Sequence, residues 1–317
     1  VIVTDFSIQY GEQVTRARRD GRPVVALEST IVSHGLPRPD NLRVAREIEQ
    51  TVRDNGAVPA TIGMVGGRLI VGLSDAEITH LAESDDVAKL SVRDLAVAAA
   101  TGADGATTVA ATSAIAAAAR IGVFATGGLG GVHREAGATF DESADLTTLA
   151  RTPIVVVCAG VKSILDVGAT LERLETLGVT VAGYRTKRFP GFFITDGGFD
   201  VDWSLSSPAE VAAAMAARSG QEVSNGAILL ANPLPVEEQL DPALHDRTLA
   251  SGLALLAEQG VTGKAVTPFL LAHFHSSTDG QSLAVNVRII LRNAALAAQI
   301  AVAAVPAPAQ LGFSVPA

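Results

Sequence analysis

The chain of 317 residues has one cysteine, one tryptophan and two tyrosines, and aromatic residues make up only 4% of it. A single thiol, Cys158, excludes an intrachain disulfide framework and any paired-cysteine metal or redox motif. So few aromatics argue against an all-β sandwich and against the stacking platforms that bind single-stranded nucleic acid. Positive charge is short too: the formal balance is −9, which disfavours a binder of the phosphate backbone. No N-terminal run joins basic residues to an uninterrupted apolar stretch, so no signal peptide is expected. The most apolar segments, Ala110–Ala125 and Ala294–Ala309, are broken by Arg120 or by Pro306 and Pro308, and neither is expected to span a membrane. The expectation is a soluble, cytoplasmic protein with neither nucleic acid nor membrane as a partner. Lysine is scarce as well, with four (Lys89, Lys162, Lys187 and Lys264) among 24 basic residues. Where arginine serves whenever charge alone is needed, the remaining lysines are enriched for work that requires losing a proton.

What the chain has is apolar mass without aromatics: 48% hydrophobic residues, mostly alanine and valine, and 18% charged. That composition buries a core and excludes disorder. No repeat, charge block or proline-rich linker divides residues 1–317, so one domain is expected, with residues 1–9 and 304–317 as peripheral tails. Short apolar strands alternate with helical patterns. Strands are expected at Val24–Leu27, Ala60–Met64, Arg68–Leu73, Val87–Leu90, Gly122–Ala125, Ile154–Ala159, Val179–Gly183, Phe192–Thr195 and Ala227–Ala231. Helices are expected at Asp40–Asn55, Val92–Ala100, Ser163–Leu177 and Pro208–Arg218, with two or three more through Ala303. Gly66-Gly67 reads as a hairpin turn, and Ser74 with Glu77 as a capping box. The alternation predicts an α/β protein: a mostly parallel central sheet with helices on both faces, an α/β/α sandwich.

In such sheets ligands bind beyond the carboxyl ends of the strands. Glu28 follows Val24–Leu27, where partial desolvation suits a carboxyl to general acid work; a rim glutamate paired with arginine is the plainer alternative. After Gly122–Ala125 comes Thr126-Gly127-Gly128-Leu129-Gly130-Gly131-Val132-His133-Arg134, which fits either an anion-binding loop or a flexible turn. It is neither the dinucleotide fingerprint nor a Walker loop. Asp141 and Asp145, four apart, fit a helix face holding Mg²⁺ or Mn²⁺ largely through water, or acidic residues favoured by a helix N-terminus. Lys162 follows the Val-rich strand, placed either as an imine-forming amine or as a partner for Asp166. His273 and His275 flank Phe274 and read as packing or surface residues, and Cys158 as a small core residue.

Together these segments resemble the pseudouridine-5′-phosphate glycosidase family, also called the indigoidine synthase A family. The resemblance rests on Ala26-Leu27-Glu28-Ser29-Thr30-Ile31-Val32-Ser33-His34-Gly35-Leu36-Pro37, Thr126–Arg134, Phe140–Leu146 and Cys158–Asp166. Thr267-Pro268-Phe269-Leu270-Leu271 and Ser282–Asn286 extend it, so that it covers roughly residues 10–303. It implies an enzyme that reversibly cleaves the C–C bond of pseudouridine 5′-phosphate to give uracil and ribose 5-phosphate. It further implies Lys162 as the imine nucleophile, Glu28 as proton donor, and Asp141 as ligand of one Mn²⁺ per subunit, with no organic cofactor. Lys89, Val109, Ser143, Ala144 and Asp145 fall at substrate-contacting positions, Asn286 at the asparagine facing the base, and a homotrimer is implied. Thr126 and His133 join the expected substrate contacts through the glycine-rich loop.

The departing atom would be carbon, a poor leaving group, and a lysine imine on ring-opened ribose supplies an electron sink that a paired-carboxylate glycosidase lacks. Two rival readings remain: an imine-independent N-ribosidase or nucleoside 5′-phosphate hydrolase, and a non-catalytic sugar-phosphate binder. Family members usually carry Glu, Gly-Gly and Asn-Asn where this chain has Ser276, Asp279-Gly280 and Arg292-Asn293, departures that touch the base-side wall or a subunit contact.

Overall fold

Val155-Val156-Val157-Cys158 is apolar at every position because both faces of its strand are covered: all four residues are fully buried. Val155 and Val157 point to one face, and Val156 and Cys158 to the other, following the two-residue period of the pleat. The structure is a computed structural model and describes residues 7–220 and 225–305.

In chain order the strands are β1 (Gln9–Tyr10), β2 (Val24–Leu27), β3 (Val58–Val65), β4 (Arg68–Val71), β5 (Ala88–Leu90), β6 (Gly105–Thr107), β7 (Val123–Ala125), β8 (Val155–Cys158), β9 (Thr180–Tyr184), β10 (Arg188–Phe189), β11 (Phe199–Asp200), β12 (Trp203–Leu205) and β13 (Ile228–Ala231). Eleven form one sheet with the path β1-β4-β3-β2-β7-β8-β13-β9-β12, and β6, flanked by β5, also pairs with β3. Only the β3–β4 and β3–β6 pairings in this sheet are antiparallel. One face is covered by the helices Asp40–Asp54, Pro208–Ser219 and Gln281–Ala303, whose Val44, Ile48, Val211 and Ile290 share a core with Val25, Leu27, Val155 and Val157. On the other face, Ile115 of the helix Val109–Ala118 shares a core with Ala26, Phe124 and Val156. The mostly parallel, doubly covered sheet is the fold that the alternation predicts.

The helix Gln281–Ala303 is long and apolar enough to cross a membrane by length and composition, but 61% of its apolar window is buried inside the protein. It packs on the helices Asp40–Asp54 and Pro208–Ser219 and on β7 and β8. It is a core helix.

Local chemistry explains several boundaries. Ser74 and Glu77 form the capping box, each side chain bonding the other's backbone N–H. Gly56 ends the helix Asp40–Asp54 in the left-handed region at φ 87. Three expectations change. Ser163–Leu177 is helical only over Val167–Thr176, because Asp166 caps that helix by accepting from the Ala169 N–H at 2.9 Å. Phe192–Thr195 is a turn rather than a strand, with Phe192 at φ 64. Gln9 belongs to the sheet, paired with Ile70, whereas residues 1–6 and 306–317 of the expected tails lie outside the described residues.

Candidate functional site

The order β5–β6–β3–β2–β7–β8 sets Lys89 and Lys162 on opposite sides of Glu28, since each side chain sits in or after its own strand. These ends border a cavity of about 430 Å³. Its walls hold Glu28, Lys89, Val109, His133, Asp141, Ser143, Ala144, Asp145, Lys162 and Asn286, ten of the eleven residues expected there. The eleventh, Thr126, is fully buried behind the wall, and its hydroxyl donates to Glu28 Oε1.

Thr30 donates to the other oxygen of Glu28. Two hydroxyls therefore hold the half-buried carboxyl group, and the arginine-paired alternative finds no partner among the described residues. Lys162 sits in the turn after β8, where its N–H donates to Leu129 O at 3.1 Å. Val161 bridges Leu129 and Gly160 bridges Gly191, so the lysine's backbone is tied on both sides. Asp166 is spent on its helix cap and is not the lysine's partner.

The glycine-rich loop acts differently from an open anion nest. Its N–H groups at Leu129, Gly130, Val132 and His133 already donate to Gly160 O, Asp145 Oδ2, Thr170 Oγ1 and Asp141 O. The glycines serve close packing. A Cβ on Gly128 would fall 2.6 Å from Phe192 Cδ2, and one on Gly130 would fall 2.3 Å from Ser143 Oγ. Gly127 and Gly128 of the loop border the cavity, as do the side chains of Lys89 and, missed from the sequence, Ser91, Arg93 and Thr108. His34, also missed, lines the same wall. Partial burial, and then the charge of Lys89, push its imidazole below the ordinary histidine range, so the positive charge here belongs to Lys89 and Arg93. Only spacing from the end of β5 could have pointed to Ser91 and Arg93.

Asp141 and Asp145 do not share a helix face, because the helix begins at Ala144 and Asp141 lies in the loop before it. Asp145 is buried, and its two oxygens accept from Ala110 N at 2.9 Å and Gly130 N at 2.8 Å. It ties the start of the helix Val109–Ala118 to the glycine-rich loop. Replacing Asp145 with alanine strands both amides and is expected to lower the unfolding free energy by about 3 kcal/mol, read by urea denaturation. An unchanged midpoint would remove the tie.

Among the described residues no three His, Cys, Asp or Glu side chains converge as a metal cage. Of the carboxylates lining the cavity, Glu28, Glu142 and Asp145 are bonded to protein donors, while Asp141 has His133 Nδ1 3.8 Å away. That donor set fits a hard divalent ion carried by one carboxylate and completed by water and ligand oxygens, and it does not fit zinc. Cys158 is inert in the core, its thiol pushed up to about 12 by burial.

The departures from the resembled pattern leave the cavity wall intact. Ser276 donates to His273 O, Arg292 pairs with Glu238 at 3.2 Å, and Asn293 donates to Thr126 O at 2.8 Å from behind the wall. Asp279 occupies the left-handed region at φ 47, next to Gly280 at φ 78. His273 bonds Ser251 at 2.8 Å, as a packing residue does.

Residues 13–303 match the family model described as indigoidine synthase A like protein. A protein of Salinispora tropica named pseudouridine-5′-phosphate glycosidase is 79% identical over 95% of this chain and 93% of its own length. Among solved structures, the prealnumycin C-glycosynthase AlnA in complex with ribulose 5-phosphate superposes with a TM-score of 0.86 at 37% identity, covering 95% of this chain and 97% of that one. An indigoidine synthase A-like protein from Thermotoga maritima gives 0.84 at 34% identity, covering 93% and 95%. The chain belongs to the indigoidine synthase A like family, and it is an enzyme.

Proposed function

We propose that the chain cleaves the C–C glycosidic bond of pseudouridine 5′-phosphate, reversibly, to uracil and ribose 5-phosphate. The observation that carries this reading is the meeting of Glu28, Lys89, Asp141 and Lys162, from four distant segments, around one cavity. The names of the relatives and the pentose phosphate held by the C-glycosynthase neighbour support it.

The residues divide the work as follows. Lys89, with Arg93 and Ser91, binds the 5′-phosphate as fixed positive charge and donors. Glu28, steadied by Thr30 and Thr126, gives a proton to the ribose ring oxygen as the C1′–O4′ bond breaks. The Lys162 amine bonds C1′ and sheds a proton. Uracil C5 then takes a proton and the C1′–C5 bond breaks. Its electron pair returns to the uracil ring while the lysine nitrogen forms the imine at C1′. Water adds to the imine and frees ribose 5-phosphate and the amine. Asp141 would hold one Mn²⁺ per subunit, a positive charge that steadies the oxygens of the opened sugar. The same reading carries a cytoplasmic enzyme that assembles as a homotrimer.

The purified chain is expected to release uracil and ribose 5-phosphate in equal amounts from pseudouridine 5′-phosphate and nothing from uridine 5′-phosphate. Cleavage of uridine 5′-phosphate alone would transfer the site to the imine-independent ribosidase reading. Chelation is expected to abolish turnover, with Mn²⁺ restoring it better than Ca²⁺, whose larger coordination number suits a single carboxylate poorly. Full activity after exhaustive chelation would remove the metal.

A further inference from the structure

One wall of the cavity is built from a residue in an unusual conformation. Phe192 has φ 64, a backbone conformation rare for a bulky side chain. Its turn is closed by the Gly191 N–H donating to Ile194 O at 2.9 Å, and Gly191 bridges Gly160 beside the Lys162 turn. The ring meets Phe193 edge-on at 4.6 Å, and Phe193 stacks on Phe274 at 5.1 Å. This aromatic chain fixes the ring, which is buried at 3% exposure and borders the cavity.

The ring lies over Gly127-Gly128. A Cβ on Gly127 would stand 3.6 Å from Asn286 Oδ1 and 3.8 Å from Phe192 Cε2, so amide and ring converge on Gly127. An apolar ring beside an amide suits a small planar heterocycle with N–H and C=O groups at its edge. Lys89 lies across Glu28 from this wall in the order of strands, so the charged phosphate and the flat base have separate places.

We infer that Phe192 is the specificity-determining residue for the base, supplying the apolar surface against which uracil lies while Asn286 meets its polar edge. The inference rests on the proposed reaction and goes beyond it by assigning the wall that selects one six-membered ring. The test runs in the synthetic direction, with ribose 5-phosphate and either uracil or 6-methyluracil, a bulkier base that keeps C5 free. Phe192→Ala is expected to raise the KM for uracil roughly tenfold or more, the loss of one base–aromatic contact. It is also expected to narrow the preference for uracil over 6-methyluracil about tenfold. Half-saturation by ribose 5-phosphate, and the yield of its borohydride-trapped adduct, should stay within about twofold, because neither involves the base. Phe192→Leu, which keeps apolar volume and the core, should fall between the two and carries the comparison if the alanine variant does not fold. Equal losses toward uracil and ribose 5-phosphate would make Phe192 a structural residue only, and an unchanged uracil KM would overturn the assignment outright. Wild-type protein that neither traps ribose 5-phosphate nor consumes uracil would instead sink the proposed reaction itself.

Discussion

Lys162→Arg is expected to lower turnover of pseudouridine 5′-phosphate by roughly 10⁴-fold or more while leaving the fold unchanged by circular dichroism. Arginine keeps the positive charge and most of the length, but a guanidinium does not give up a proton to attack C1′. A variant defective only in charge placement would be rescued by arginine; one defective in bond formation would not. The other lysines are separated from this role by where they stand. Lys187 is exposed and lies outside the cavity lining, and of the two arginines flanking it, Arg185 and Arg188, the second is paired with Asp196 and Asp200, each at 2.9 Å. Lys89 lies in β5, on the far side of Glu28. The side chain of Lys264 lies outside the described residues. Near-normal turnover in Lys162→Arg would reject the imine at this position.

Removing the phosphate from the substrate is expected to have the next largest effect. Pseudouridine itself should be used with kcat/KM roughly 10³-fold below that of its 5′-phosphate, and kcat should fall as well as KM rise. The reason is that charge-assisted contacts far from the reacting carbon hold C1′ in place for the amine. The glycine-rich loop commits four of its amides to protein acceptors, and the proposed reading gives Lys89 the fixed charge of this binding. Lys89→Met should therefore weaken the phosphorylated substrate much more than pseudouridine. Equal kcat/KM for the two substrates in the wild-type protein would remove the phosphate assignment.

The strands that matter most were legible because each combines a run of apolar residues with a polar residue just past its end. Val24–Leu27 with Glu28 and Val155–Cys158 with Lys162 are such cases, and parallel-sheet geometry sends both ends to one rim. Capping chemistry was equally local, as Ser74 and Glu77 show. What stayed hidden depends on partners far away in the chain. Asp145 looks like a ligand four residues from Asp141, but its oxygens are claimed by Ala110 and Gly130, which no local pattern reveals. Phe192 sits in an apolar run that reads as strand, and only the Gly191 turn and the ring of Phe193 put it in the cavity wall. Edge elements such as β1, β10 and β11 have two residues each, too few to show a period. Resemblance to a family named the site residues, but the hydroxyl pair that holds Glu28 emerged only from the packing of Thr30 and Thr126.

The central claim is a covalent bond between Lys162 and C1′ of the sugar. Treating the intact protein with ribose 5-phosphate and borohydride, followed by peptide mapping, tests it without relying on turnover. The expected result is one reduced ribose phosphate adduct per chain, on the peptide carrying Lys162, and none in Lys162→Arg. An adduct on Lys89, Lys187 or Lys264 instead, or no adduct in a protein that still releases uracil, would contradict the imine.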